Sequence, residues 1–97
     1  MPIYISLLSF TEKGLHDVKD TVKRSEAFKT MAKKHGVTVK DIYWTQGAHD
    51  VVIILEAPDG AAVAGLALSS AKLGNVRGQT LRGFTASEME KIMAKVD

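Results

Sequence analysis

Five consecutive β-formers, Val51-Val52-Ile53-Ile54-Leu55, constrain this chain more than any other stretch. Branching at Cβ crowds a helix and suits a pleated surface, so the run reads as a strand. A strand bordered by water on one side alternates apolar with polar. This one is apolar at both parities, Val51, Ile53 and Leu55 against Val52 and Ile54, so both of its faces need cover. Upstream, Ile42, Tyr43 and Trp44 are again strand-prone, and Gly47 supplies the positive φ of a turn between the two runs. Ile42 to Leu55 is therefore expected to be a β-hairpin, with His49 and Asp50 opening its second strand.

The other elements follow from similar patterns. Ile3 to Phe10 is an unbroken apolar and small run of strand length, with Ile3, Ile5 and Leu7 on one face. Tyr4, Ser6, Leu8 and Phe10 take the other, which is more polar and suited to border a cavity. Thr11 to Gly14 forms a turn, and a helix follows to about His35, where Gly36 ends it. Leu15, Val18 and Val22 make one stripe on this helix and Phe28, Met31 and Ala32 another. At ~100° per residue the stripes are offset by roughly a third of a turn. A kink between Asp20 and Ser25 would let both face one sheet. After Pro58, Asp59 is placed to cap a second, Ala-rich helix that runs to about Leu73 and Gly74 and carries Gly65. Asn75 to Phe84 is the fourth and most polar strand, with Arg77 and Arg82 on opposite faces. Thr85 and Glu88 match a capping box, and Met89, Ile92, Met93 and Val96 give a short amphipathic C-terminal helix.

This order defines an α+β, ferredoxin-like βαββαβ fold: a four-stranded antiparallel sheet, two helices on one face, and a C-terminal helix. The other sheet face is also apolar, which calls for a cover. Two sheets packed face to face in a homodimer, a dimeric α/β barrel, would provide it. With 97 residues the chain is a single domain, residues 1–97, small enough for association to be expected.

The absence of cysteine excludes disulfides, thiolate metal sites and cysteine nucleophiles. A net charge of +2 with interleaved signs makes Lys19–Arg24 and Lys29–Lys34 solvated helix faces, and no nucleic-acid partner is expected. No leader pattern opens the chain and no apolar run approaches the ~20 residues of a membrane span, so the expected location is cytoplasmic, without membrane.

Several segments together carry a family resemblance: Met1 to Ile5, Val18-Lys19-Asp20 followed by Lys23-Arg24, Tyr43 to Gly47, Glu56 to Asp59, and Leu73 to Arg77 with Thr80-Leu81-Arg82. The chain resembles the GYD domain family over nearly its whole length. That resemblance implies a ferredoxin-like fold of the dimeric α/β barrel type and no established reaction, substrate or cofactor. Two positions depart from the family pattern. His49 stands where a Tyr usually precedes the Asp, and Thr21-Val22 replaces a usual Ser-Pro.

The candidate ligand-binding residues are Tyr4, His16, Trp44, His49, Asp50 and Arg82. His49 and Asp50, adjacent in a strand, would point to opposite faces, so each needs its own partner. One reading has Asp50 accepting backbone hydrogen bonds near the turn and His49 at a rim. The other places one of them in a cavity with Trp44 or Arg82, as a general base. His16 and Asp20 share a helix spacing that would suit a metal or haem, but only two ligands are in sight, and neither group is called for. His35 suits the dipole at its helix C-terminus. Arg82 is the best anion holder, with an interprotomer salt bridge as the alternative. The function expected is a small homo-oligomeric module that binds a small anionic or aromatic ligand in the inter-sheet cavity, in a sensory or regulatory role. The alternatives are a cofactor-independent enzyme with a His or Asp base in that cavity, and a purely structural assembly partner.

Overall fold

The computed structural model describes residues 1–97. Along the chain run β1 (Ile3–Phe10), α1 (Glu12–His16), a 3₁₀ turn (Val18–Asp20), α2 (Thr21–Lys34), β2 (Thr38–Trp44), β3 (Val51–Glu56), α3 (Gly60–Ala71), β4 (Val76–Gly83) and α4 (Ala86–Met93). The four strands form one antiparallel sheet in the order β2-β3-β1-β4, the ferredoxin-like arrangement.

The doubly apolar run is the interior strand β3. Val51, Ile53 and Leu55 are buried beneath α2 and α3 with Ala32, Val37, Ala57, Val63 and Leu66, while Val52 and Ile54 face the other way, half-buried. The register carries this division across the sheet. On β1, Tyr4, Leu8 and Phe10 pack against the helix-side core and Ser6 is buried among them. On β2 a bulge between Val39 and Asp41 shifts the parity, so Val39 and Ile42, three apart, both reach the same core. On β4, Arg82 lies opposite Tyr4 and Arg77 opposite Ser9, which puts the two arginines on opposite faces.

Two local expectations change. The first helix starts at Glu12, inside the expected turn, because Thr11 caps it: the Gly14 amide donates to Thr11 Oγ1 at 3.1 Å. It is then interrupted at Val18–Asp20, ahead of the expected Asp20–Ser25 kink. The interruption has a partner. The Arg24 guanidinium donates to the carbonyls of Asp17 (2.8 Å) and Gly14 (3.1 Å), acceptors that a helix end leaves open. Leu15, Val18 and Val22 consequently stay exposed, and only the Phe28, Met31 and Ala32 stripe packs on the sheet. The second change concerns His49 and Asp50, which lie in the connection before β3 and not in the strand. Strand parity therefore does not govern them.

The sheet face away from α2 and α3 carries Ile3, Ile5, Leu7, Tyr43, Val52, Ile54 and Leu81 and has no covering layer in the chain. α4, secured by its capping box, makes no substantial packing contact with any other element, and Met89 and Met93 on it and Val96 after it are exposed.

Candidate functional site

A cavity of about 130 Å³ lies between α2 and the sheet. β1 contributes Leu8 and Phe10, α2 contributes Phe28 and Met31, and β2 contributes Ile42 and Trp44. These side chains converge because the α2 stripe faces the same side as the even-numbered residues of β1. Polar groups enter from Thr21, Arg24, Ser25, Ser70 and Asn75. Trp44 is half-exposed at this site, and its indole N–H donates to Thr21 Oγ1 at 2.9 Å, which fixes the ring against the start of α2. Arg24 stacks over Phe10 with its guanidinium carbon 5.9 Å from the ring centre, a cation–π distance. The wall at Asn75 is rigid, since its backbone carbonyl accepts from Thr11 N–H at 3.1 Å, and Thr11 Oγ1 donates to the neighbouring Gly74 carbonyl at 2.5 Å.

Of the six residues singled out in the sequence, Trp44 alone lines this cavity. Tyr4 and Arg82 sit at the other end of the sheet, four registers from the Leu8–Val51–Trp44 row, or roughly 13 Å along the strands. There Arg82 lies over the rings of Phe84 (4.5 Å) and Tyr4 (5.6 Å), bonds the Gly83 carbonyl and reaches Glu88 Oε2 at 3.4 Å. Its role in the chain is to join the end of β4 to the start of α4. Asp50 matches the backbone reading. Its Oδ2 accepts from Phe10 N–H at 2.9 Å, its own N–H donates to the Leu8 carbonyl at 2.8 Å, and its carbonyl accepts from Thr45 N–H at 2.8 Å. His49 is half-buried with Nδ1 enclosed and without a hydrogen-bond partner. His16 is exposed, with Nδ1 3.1 Å from Asp17 Oδ1, and the break after it takes Asp20 out of its helix. No three His, Asp or Glu side chains converge on a metal-sized site. His35 ends α2 and approaches Ser69 Oγ with Nε2, at 3.4 Å.

Arg24 and Asn75 escaped the sequence reading. A signal for Arg24 was present, since Arg24, Phe28 and Met31 recur at i, i+4 and i+7 and so share one helix face. Asn75 carried no such signal, because its position depends on the α3–β4 junction meeting the β1–α1 junction.

The GYD domain family matches residues 4–93. A Thermus thermophilus protein named glutamine synthetase and cystathionine beta-lyase binding protein is similar, 31% identical over 90 residues that span 92% of this chain and 95% of that one. The crystal structure of TTHA0845, also from Thermus thermophilus, matches with a TM-score of 0.57 at 19% identity, covering 89% of this chain and 96% of that chain, a likeness of fold. On its sequence over nearly the whole length, and in agreement with its strand order, the chain belongs to the GYD domain family.

Proposed function

We propose that this protein is a homo-oligomeric binding module: two copies stack through their uncovered sheet faces, and each fold holds a small anionic or aromatic ligand in a regulatory role, in the space between α2 and the sheet and not in the inter-sheet cavity expected from the sequence. The observation that carries the association is surface area. A compact monomer of this length exposes about 5,400 Å², whereas this chain exposes 6535 Å². The excess of roughly 1,100 Å² is of the order of the ~800 Å² each partner buries in a standard interface. The radius of gyration agrees, at 14.6 Å against about 12.5 Å for a compact domain of this length. Both excesses belong with an apolar sheet face and a projecting α4. The Thermus relative is named for binding two enzymes, which supports extending the regulatory role here to contact with a metabolic enzyme.

Native mass spectrometry of the purified chain tests this. A species at twice the 10.5 kDa chain mass, or a higher multiple, is expected. A monomer at micromolar concentration would overturn the stacking.

One observation favours a second reading, an enzyme without cofactor: the half-buried His49 has no hydrogen-bond partner at Nδ1, and a local opening of the loop before β3 would let it act as a base. Asp50 is less suited to that task, because its carboxylate already holds the Phe10 amide. Unchanged turnover of any substrate in His49→Ala would remove this reading.

A further inference from the structure

Resting on the ligand-binding part of that proposal, we infer that the cavity beneath α2 takes a single-ring aromatic carboxylate bearing a ring hydroxyl, with the carboxylate at Arg24. Three independent features of the cavity lead to this class.

The first is size. At about 130 Å³ the space is close to the ~150 Å³ of an engineered apolar cavity that binds benzene. A single ring matches that volume, which makes a one-ring guest the expected occupant. The second is the lining. Phe10, Phe28 and Trp44 present aromatic surface and Met31 a thioether, all of which favour an aromatic guest over an aliphatic one of equal volume.

The third is charge. Arg24 is the one charged residue on the lining, and no carboxylate pairs with it; the chain's ion pairs are His16–Asp17, Lys29–Glu26, Lys40–Glu56 and Arg82–Glu88. Two of its five N–H donors hold backbone carbonyls, which orients the fork and leaves the others for an anion. On the α3–β4 wall the lining includes Ser70 and Asn75, residue types whose side chains both donate and accept, and to that side we assign a hydroxyl on the ring. Neither end of this arrangement uses Arg82, whose guanidinium is committed to Glu88 and the aromatic rings near α4.

The test is calorimetric titration of the full chain with three probes: 4-hydroxybenzoate, its neutral amide 4-hydroxybenzamide, and naphthalene-2-carboxylate. The acid should bind at least tenfold more tightly than either of the others. Arg24→Gln should bring the acid down to the level of the amide and leave the amide unchanged. Ser70→Leu, which fills the cavity from α3 without touching Arg24, should weaken both single-ring probes at least tenfold. Equal affinity for acid and amide, tight binding of the two-ring acid, or indifference to Ser70→Leu would overturn the inference, as would no binding of any probe at millimolar concentration. Circular dichroism and native mass spectrometry of the same samples separate the outcomes. A folded oligomer that ignores all three probes overturns this ligand class and leaves the stacking intact. A folded monomer that binds the acid does the reverse.

Discussion

Asp50 shows how a residue with the look of chemistry can belong to the scaffold. Its carboxylate and both of its backbone polar groups tie the hairpin connection to the end of β1 and to Thr45. Asp50→Ala would leave the part-buried Phe10 amide without its acceptor, at a cost of about 1–3 kcal/mol. Urea denaturation should show the lowered midpoint, and an unchanged one would mean that the loop is held elsewhere. Gly14 is fixed by close approach: a Cβ there would overlap the Asn75 carbonyl oxygen, a backbone atom that cannot move aside. Gly14→Ala should therefore cost about 3 kcal/mol or more, measurable by the same denaturation and accompanied by loss of the cavity wall at Asn75. That Asp50 would accept from backbone amides near the turn was an expectation of the sequence, but neither its partner nor the role of Gly14 was legible there. Asp50 and Gly14 act on partners 40 and 61 positions away, and no local pattern encodes which distant backbone atom a residue will meet.

At the scale of elements, the clearest agreement is α4. Thr85-Ala86-Ser87-Glu88 predicts a capping box, and both of its bonds form: Glu88 N–H to Thr85 Oγ1 at 3.1 Å and Thr85 N–H to Glu88 Oε1 at 3.0 Å. Both partners are three residues apart, so the sequence contains the whole device. The Thr85 backbone amide, and after it Arg82, hold the Glu88 carboxyl below its ordinary value of 4.5. A depressed carboxyl contributes stability above its unfolded value and loses that contribution as pH falls through its folded one. The protection factors of the α4 amides, their exchange rates referred to those of the unfolded chain at the same pH, should therefore fall on acidification below about pH 4.5, before those of the sheet amides. Glu88→Gln should remove that pH dependence, and protection factors in α4 that are flat between about pH 6 and 3 would contradict the assignment. Thr85→Ala should weaken the helix by about 1 kcal/mol at any pH, read from the same amides. The first helix is the counter-example. Its apolar stripes place an irregularity correctly but not its position, because the break is fixed by Arg24 reaching back to Asp17 and Gly14.

For the whole molecule, the uncovered sheet face is the feature with the largest consequence. Ile54 lies near its middle, half-buried in the single chain, and the proposed face-to-face pair would bury it fully. Ile54→Lys should leave the fold intact, because the side chain can extend into water, and should shift the mass in native spectrometry to that of a monomer. An oligomer that survives this substitution would place the interface elsewhere, on α4 or the helix layer. Leu55→Ala, on the opposite face of the same strand, should instead cost about 2–5 kcal/mol of fold stability, since Leu55 is 1% exposed. The contrast between two neighbours follows from strand period alone. The sequence by itself determined the element order, the two-faced character of β3 and the capping of α4, because each is set by contacts within a few residues or by a period of two or 3.6. Tertiary structure alone decided that the cavity lies on the helix side of the sheet, that Trp44 and Arg24 share it, and that Arg82 and Asp50 are taken up by the scaffold. Those outcomes depend on register between distant strands, on one bulge in β2 and on where a helix breaks: a slip of one residue in a strand sends each side chain to the opposite face, and a shift of one residue in the break turns α2 by about 100°.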